Sequence, residues 1–267
     1  MKNGTIGNTD YIQFGAGPKN LVILPGLGDS LRTVKGTALP MSVAYALFGR
    51  AYTVYMFSRK NDLSKGATTR DMARDLKIAL DALEIYKADV LGVSMGGMIA
   101  QWFAIDYPEV VGKLVLTVTS AQPNPVLKES LDEWMDCARR DDHTALMESN
   151  LKRIYSEGYC RKNGWLAPVM GKLTKPKSYD RFFVQAHACY DHNAAPELHR
   201  ITAPTLVVGG ERDLALSGEA SHQIAEAIPG ATLHMYEQWG HGLYEEAKDF
   251  QHVVLKFLTA DSKTEAE

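Results

Sequence analysis

A serine set among glycines is the first residue of this chain whose surroundings suggest chemistry rather than packing. Ser94 is the central residue of the stretch GVSMG at positions 92–96, which fits the pattern G-x-S-x-G. A serine hydroxyl is a weak nucleophile, so it needs a neighbouring base, usually histidine, and an acid that orients that base. The sequence must therefore supply a histidine and a carboxylate that the fold can bring to Ser94.

The elements on either side of Ser94 fit a nucleophile elbow, the tight turn between a strand and a helix that raises a serine above a sheet. Residues 89–93 are short and apolar, as in a buried strand, and residues 95–107 have the length and composition of a buried helix. Gly92 and Gly96 would leave room where strand and helix meet. Composition alone yields about 0.09 such motifs in a chain of this length. The alternative is a glycine-rich turn with an incidental serine.

His241 is the best candidate for the base among the eight histidines. It lies in WGHGLYEE, in a loop between the last predicted strand and the last predicted helix, with a glycine on each side. Flanking glycines allow the loop to bring the ring to the edge of the sheet. A loop histidine without a catalytic role is the alternative.

Asp213 is the predicted acid. It follows the apolar run TLVV in the segment GGERDLAL, where a strand is expected to end. Glu211, two residues earlier, is the second choice, and an aspartate that merely caps a turn is the third interpretation. The chain order of the candidates is then Ser94, Asp213, His241.

Attack by Ser94 on a carbonyl produces an oxyanion, which backbone N–H groups commonly stabilise. The elbow places one such donor, the N–H of Met95, next to the nucleophile. The segment LVILPGLGDS offers a second donor directly after an early strand, the N–H of Leu27. An ordinary glycine-rich turn is the alternative interpretation of this loop.

Short apolar runs alternate with helical patterns along most of the chain. This alternation predicts an α/β fold with a mostly parallel, doubly wound sheet covered by helices on both faces. Thr69 is the expected N-cap of the second helix. The predicted strands are residues 11–14, 21–24, 52–57, 89–93, 114–119, 205–208 and 232–236, and the predicted helices are 41–48, 69–83, 95–107, 217–228 and 245–258.

The region 122–200 interrupts this alternation, because it shows helical periodicity and no strand pattern. We predict an all-helical cap at 122–200, inserted into a core formed by 1–121 and 201–267. An insertion at this point lies over the carboxyl ends of the strands, where open α/β sheets bind ligands. Cap aromatics such as Trp134 and Phe183 are therefore candidates for lining a pocket and setting acyl preference.

Composition limits the classes of partner. The 267 residues carry a formal net charge of −3 with a pI near 6.3, and 45% are hydrophobic. Nothing here favours binding of nucleic acid or of a membrane. The N-terminal stretch lacks the apolar core of a secretory signal, and three widely spaced cysteines favour a reducing compartment, so a cytoplasmic location is expected. The polar residues 261–267 are expected to fray.

Two further clusters contain residue types that occur in binding sites. The stretch HACYDH holds His187, Cys189 and His192, but these residues point in different directions on a helix, and no metal site is predicted there. Arg59, Lys60 and Lys65 follow the strand 52–57. They could bind an anionic group of a substrate, although exposed loop charges are the favoured interpretation.

The chain resembles the α/β-hydrolase superfamily, in the branch of esterases, lactonases and cofactor-free haloperoxidases with a helical cap. The matching segments are LPGLGDS, GVSMGGMIAQ, YPEVVGKLVL, ITAPTLVVGGERD and WGHGLYEE, and the resemblance extends over residues 21 to about 257. The order Ser–Asp–His is that of α/β-hydrolases. The chain departs from the family in having Pro25-Gly26 where relatives usually have His-Gly. The main-chain donor at Leu27 is retained.

The expected function is hydrolysis of a carboxylic ester or a lactone through an acyl-enzyme on Ser94, without a cofactor or a metal. The expected partner is a small acyl substrate with an apolar portion, and the oligomeric state stays open. Hydrolysis of C–C bonds, thioester hydrolysis and adventitious perhydrolysis use the same triad. A ligand-binding receptor or sensor with a retained triad is the alternative outside enzymes.

Overall fold

The computed structural model describes residues 1–260, except for the side chain of residue 170. Its centre is an eight-stranded sheet in the order β1-β2-β4-β3-β5-β6-β7-β8. The pairings of β1 with β2 and of β2 with β4 are antiparallel, and all others are parallel. The strands are β1 Lys2–Ile6, β2 Thr9–Phe14, β3 Lys19–Leu24, β4 Tyr52–Lys60, β5 Ala88–Val93, β6 Val111–Thr117, β7 Thr205–Gly210 and β8 Thr232–Tyr236.

Helices cover both faces of this sheet, and the predicted fold class is confirmed. Every residue of β5 and β7 is buried, as expected for central strands that pack against helices on two sides. The helices are α1 Ala38–Ala44, α2 Ala46–Ala51, α3 Thr69–Ala82, α4 Met95–Asp106, α5 Pro125–Arg139, α6 His143–Ile154, α7 Glu157–Asn163, α8 Leu166–Leu173, α9 Asp180–Tyr190, α10 Glu219–Ala227, α11 Leu243–Glu246 and α12 Phe250–Thr259.

Several predicted boundaries are wrong for local reasons. The sequence pattern does not predict strand β1, which is mostly exposed. It pairs with β2 through a two-residue turn. Both turn residues, Gly7 and Asn8, have positive φ, which is the geometry of a type I′ hairpin. Thr68, not Thr69, caps α3, because its side chain and that of Asp71 form a reciprocal capping box. The helix predicted at 41–48 divides at Tyr45 into α1 and α2.

The last predicted helix, 245–258, is likewise two helices, α11 and α12, which residues 247–249 separate. The expected fraying of residues 261–267 concerns residues outside the described part of the chain. Within residues 1–260, no helix is both long and apolar enough to cross a membrane.

Between Thr117 and Thr205, the described chain contains only helices and loops. Helices α5 to α9 and the 3₁₀ helix Ala195–Arg200 fill this interval, where the sequence predicts a cap. We use the name cap for residues 122–200. The C-terminal part of the cap packs on the core through α9, which contacts the 3₁₀ turn Leu27–Ser30 and helix α3.

A second junction joins the cap to the loop that carries His241. The carbonyl of Ile154 accepts a hydrogen bond from Gly242 N–H at 2.6 Å. Tyr155 donates its hydroxyl proton to Glu245 at 2.7 Å, and Ser156 N–H donates to Glu246 at 2.9 Å. Three consecutive cap residues therefore bind three of the five residues that follow His241, namely Gly242, Glu245 and Glu246.

His192, just after α9, forms a third junction. Its Nδ1 accepts from the Thr69 hydroxyl at 2.8 Å, and its Nε2 lies 3.4 Å from Oε1 of Gln101. Nε2 of the same Gln101 amide donates to Ser120 O at 3.1 Å. Because the amide oxygen can only accept, the hydrogen of neutral His192 belongs on Nε2. Burial lowers the pKa of His192 from 6.5 to about 3.

This junction predicts a loss of stability in mild acid. The unfolded chain binds a proton at His192 below about pH 6.5 while the folded chain does not, so the free energy of unfolding falls as the pH falls. Between about pH 7 and pH 5, His192 accounts for about 2 kcal/mol of that fall. Urea unfolding of His192→Gln should show the smaller pH dependence, whereas exposed His199→Gln should match the wild type. Equal slopes in all three proteins would contradict the assignment.

Candidate active site

The backbone at Ser94 has the strained geometry of a nucleophile elbow. Ser94 lies between β5 and α4 with φ +54° and ψ −121°, which costs a non-glycine residue about 1–3 kcal/mol. Its backbone is held by the bond from its N–H to Thr117 O at 2.9 Å and by the Thr119 hydroxyl, which donates to Ser94 O at 2.7 Å. The strain is therefore maintained by neighbouring strand-end residues.

The two motif glycines are required sterically. A Cβ on Gly96 would lie 1.9 Å from Leu24 O, and one on Gly92 would lie 2.6 Å from Gly96 O. No side chain fits at either distance, because strand and helix meet through their backbones. The incidental-turn interpretation does not account for this close approach together with the strained serine.

Asp213 orients His241 in the manner expected of a triad acid. Its Oδ2 lies 2.8 Å from Nδ1 of His241, and its Oδ1 accepts from the N–H groups of Ala215 and Leu216 at 2.8 and 2.9 Å. Both side chains are buried. Because a carboxylate only accepts, Nδ1 of His241 carries the hydrogen, and Nε2 is left as the basic nitrogen.

Glu211, the second choice for the acid, is directed elsewhere. It is exposed, and its carboxylate lies 3.0 Å from Nε2 of His222. The turn after β7 therefore separates the two acids, bringing Asp213 inward to His241 and leaving Glu211 on the surface.

The two candidate oxyanion donors flank Ser94. Leu27 begins the 3₁₀ turn after β3, and Met95 begins α4. Within residues 1–260, neither backbone N–H has a hydrogen-bond acceptor. A Cβ on Gly26 would lie 3.3 Å from the Ser94 Cβ, which places this turn directly against the nucleophile. Two unpaired donors beside one hydroxyl form a suitable site for a developing negative charge.

One cavity of about 20 Å³, little more than the space of one water molecule, is lined by Ser94, His241, Leu27 and Met95. Its remaining walls are apolar apart from the thiol of Cys189 and the indole N–H of Trp134. They are formed by Met98, Leu127, Leu131, Trp134, Cys189, Ala215 and Leu216.

The cap contributes to this cavity mainly through α5. Of the two cap aromatics singled out in the sequence, Trp134 lies in the cavity wall, with its indole N–H donating to Ser149 at 3.1 Å. Phe183 is not part of the wall. It packs against Phe182 and below the guanidinium of Arg139.

Comparison with known proteins identifies the family. A sequence profile described as the alpha/beta hydrolase fold matches residues 19–248 of the chain. The chain belongs to this family. The motifs that suggested the resemblance all lie within the matched region, so the α/β-hydrolase identity rests on most of the chain.

Similar hydrolases differ in the substrates for which they are named. The chain is 30% identical over 219 residues to the 2-hydroxy-6-oxononadienedioate/2-hydroxy-6-oxononatrienedioate hydrolase of Klebsiella pneumoniae, covering 73% of this chain and 70% of that protein. It is 31% identical over 180 residues to the poly(3-hydroxyalkanoate) depolymerase of Ectopseudomonas oleovorans, covering 67% and 63%.

Among solved structures, the enol-lactonase of Burkholderia xenovorans LB400 superposes with a TM-score of 0.80, covering 97% of this chain and 100% of that one. Its sequence identity of 22% supports a shared α/β-hydrolase fold and no more.

The prediction of exposed loop charges at residues 59–65 is wrong for Arg59. Strand β4 continues to Lys60, so Arg59 belongs to the sheet, and its side chain is only 3% exposed. Lys60 pairs with Asp75 at 2.6 Å on the partly exposed side, whereas Lys65 is exposed. The polar stretch SRKND is typical of an exposed loop, so the sequence gives no sign that the Arg59 side chain is buried. Its ion-pair partner, Asp29, lies thirty residues earlier in the chain.

The three candidate ligands in the HACYDH stretch also lie in different surroundings. His187 is exposed on α9, Cys189 contributes to the wall of the cavity beside Ser94, and His192 belongs to the cap junction described above. Among residues 1–260, no group of three or more histidine, cysteine, aspartate or glutamate side chains could hold a metal ion.

Proposed function

We propose that this α/β hydrolase cleaves a carboxylic ester or a lactone with a small apolar acyl portion. The observation that carries the proposal is the convergence of Ser94, the Asp213–His241 pair and two unpaired backbone N–H groups on one apolar cavity. Each part has a role in acyl transfer, and none of these roles requires a cofactor.

The reaction proceeds in two halves. Ser94 Oγ attacks the acyl carbon while Nε2 of His241 takes its proton, and the N–H groups of Leu27 and Met95 hold the oxyanion. The tetrahedral intermediate collapses, His241 protonates the departing alcohol oxygen, and an acyl-enzyme remains. Water then attacks the acyl carbon, giving one proton to His241, and release of the acid returns that proton to Ser94.

The direct test combines a fluorophosphonate probe with p-nitrophenyl esters of increasing acyl length and a set of simple lactones. Stoichiometric labelling of Ser94 and turnover of short esters or lactones are expected. Absence of both would overturn the proposal. Labelling without turnover, together with tight ligand binding, would indicate a receptor or sensor.

Carbon–carbon cleavage remains the competing enzymatic activity, because a similar protein is named for an oxononadienedioate substrate. Faster cleavage of such a diketone-type acid than of any ester would favour it. The apolar cavity supports the ester or lactone, because its only polar side-chain groups among residues 1–260 are those of Ser94 and His241, the thiol of Cys189 and the indole N–H of Trp134, which is already bonded to Ser149.

The cavity wall predicts which residues limit acyl length. Leu131 of α5 is 1% exposed and lines the cavity, whereas Leu146 of α6 is fully buried and does not. Both leucine-to-alanine changes should destabilise the fold by about 2–5 kcal/mol. Only Leu131→Ala should shift the preferred ester towards longer chains, since it alone adds volume beside Ser94.

Relative kcat/KM values across the ester panel test this prediction, because a general loss of stability affects all esters alike. Leu131 is a cleaner choice than Trp134, whose removal would also break the indole hydrogen bond to Ser149. An unchanged chain-length profile in Leu131→Ala would place the acyl group elsewhere.

A further inference from the structure

The loop that carries the Leu27 donor is attached to a buried arginine. Nη2 of Arg59 donates to Pro25 O at 2.5 Å and to Gly26 O at 3.2 Å. These are the two carbonyls immediately before Leu27. Arg59 thus contacts the loop of Pro25, Gly26 and Leu27 from strand β4, through the two carbonyls that precede the Leu27 donor.

The geometry of one peptide unit gives these contacts a catalytic meaning. The carbonyl of Gly26 and the N–H of Leu27 belong to the same peptide group, which is planar and trans, so the two bonds point in opposite directions. Holding Gly26 O towards Arg59 therefore turns Leu27 N–H away from Arg59. Leu27 lines the cavity with Ser94, and its N–H is unpaired within the described chain.

The other end of the turn is held through Asp29. Its carboxylate accepts from the Ser58 hydroxyl at 2.5 Å, from Arg59 N–H at 3.2 Å and from Arg181 of the cap at 2.7 Å. Its Oδ2 also lies 3.6 Å from Nη1 of Arg59. Both ends of the turn are therefore fixed to the same strand end.

A buried arginine is an unfavourable choice for a residue that only stabilises a loop. Its Nε and Nη1 are buried without a hydrogen-bond partner in the described chain. Two guanidinium groups, Arg59 and Arg181, face the single carboxylate of Asp29. Buried charges and unpaired donors generally cost free energy, which points to a role other than stability.

We propose that Arg59 is a positioning residue that orients the Gly26–Leu27 peptide so that Leu27 N–H meets the oxyanion. This inference rests on the proposed acyl-transfer function of Ser94. Arg59 does not touch the substrate, and it acts through the peptide. Gly26 O also accepts a hydrogen bond from Asp29 N–H at 3.2 Å within the 3₁₀ turn. Without Arg59, that backbone bond is the remaining hydrogen bond to this carbonyl among residues 1–260, and the peptide can rotate and present its carbonyl oxygen to the cavity, which would repel an oxyanion.

The test compares Arg59→Met with Arg181→Met. Both remove one guanidinium from Asp29, but only Arg59 contacts Gly26 O. Arg59→Met should lower kcat about 10²-fold, as for loss of one oxyanion-hole donor, with KM changed less than about twofold. A trifluoromethyl ketone that forms a tetrahedral adduct with Ser94 should lose affinity by the same factor as kcat. Arg181→Met should lose less than about tenfold in either quantity.

Two controls keep the result decisive. If Arg59→Met does not fold, Arg59→Lys retains the charge with a single donor point, and an intermediate loss in kcat is expected. A crystal structure of either variant should show the Gly26–Leu27 peptide rotated or in two orientations. An unmoved peptide, or equal losses in the Arg59 and Arg181 variants, would overturn the proposal. Absence of wild-type labelling and turnover would instead refute the proposed function, and the crystal structure would still decide the role of Arg59.

Discussion

Ser94→Ala should reduce the turnover of every ester and lactone by about 10³-fold or more, and it should abolish labelling by the fluorophosphonate. The change removes the atom that would form the acyl-enzyme in the proposed reaction, whereas the hydrogen bonds that hold the elbow use the backbone of Ser94 and are retained. The unpaired N–H groups of Leu27 and Met95 remain and account for any residual rate.

Thermal melting of Ser94→Ala should stay close to that of the wild type, since no buried contact of the sheet is lost. Ser221→Ala is the matched control, because Ser221 is buried on α10 and does not line the cavity. It should keep wild-type turnover. A Ser94→Ala protein with a tenth of wild-type activity would rule out the acyl-enzyme.

Asp213→Asn is expected to lower kcat about 10³- to 10⁴-fold, while Glu211→Gln changes it less than about twofold. An asparagine oxygen can still accept from Ala215 and Leu216, so the turn keeps its shape. The amide then presents NH₂ to Nδ1 of His241, which reverses the imidazole tautomer and places the hydrogen on Nε2, where a basic nitrogen is needed.

The two substitutions form a matched pair, because each replaces an acid by its amide in the same turn. Steady-state kinetics on one short ester is sufficient, with melting curves to establish that both proteins fold. A large loss in Glu211→Gln and a small one in Asp213→Asn would mean that the acid is Glu211 and that His241 is oriented by another group.

The parts of the site that the sequence predicted are those with a local cause. The glycines around Ser94 are needed because two backbones meet there, and the glycines around His241 indicate a loop. The spacing of the glycines alone therefore indicates both local structures. Asp213 could be preferred to Glu211 only from its place at a strand end. The fold class was predictable for a similar reason, because apolar strands and helices alternate along the sequence.

The parts that escaped prediction depend on distant partners. Arg59 has the sequence context of a surface residue. Its neighbours in the structure include Asp29 and the cap residue Arg181, which lie 30 and 122 positions away in the chain. The exposed strand β1 escaped for a different reason, since it contributes little to the apolar pattern and is formed by pairing with β2. No periodicity in one segment reports a partner in another.

The junction formed by Ile154, Tyr155 and Ser156 also bears on how such proteins can be recombined. Because these residues bind the stretch directly after His241, the cap is not an independent module that can be exchanged at its two ends. A chimera with a foreign cap would need donors and acceptors at the same three positions, as well as a cation opposite Asp29. Transplants that keep these contacts and vary only the α5 wall of the cavity should alter substrate choice while leaving the reacting groups aligned.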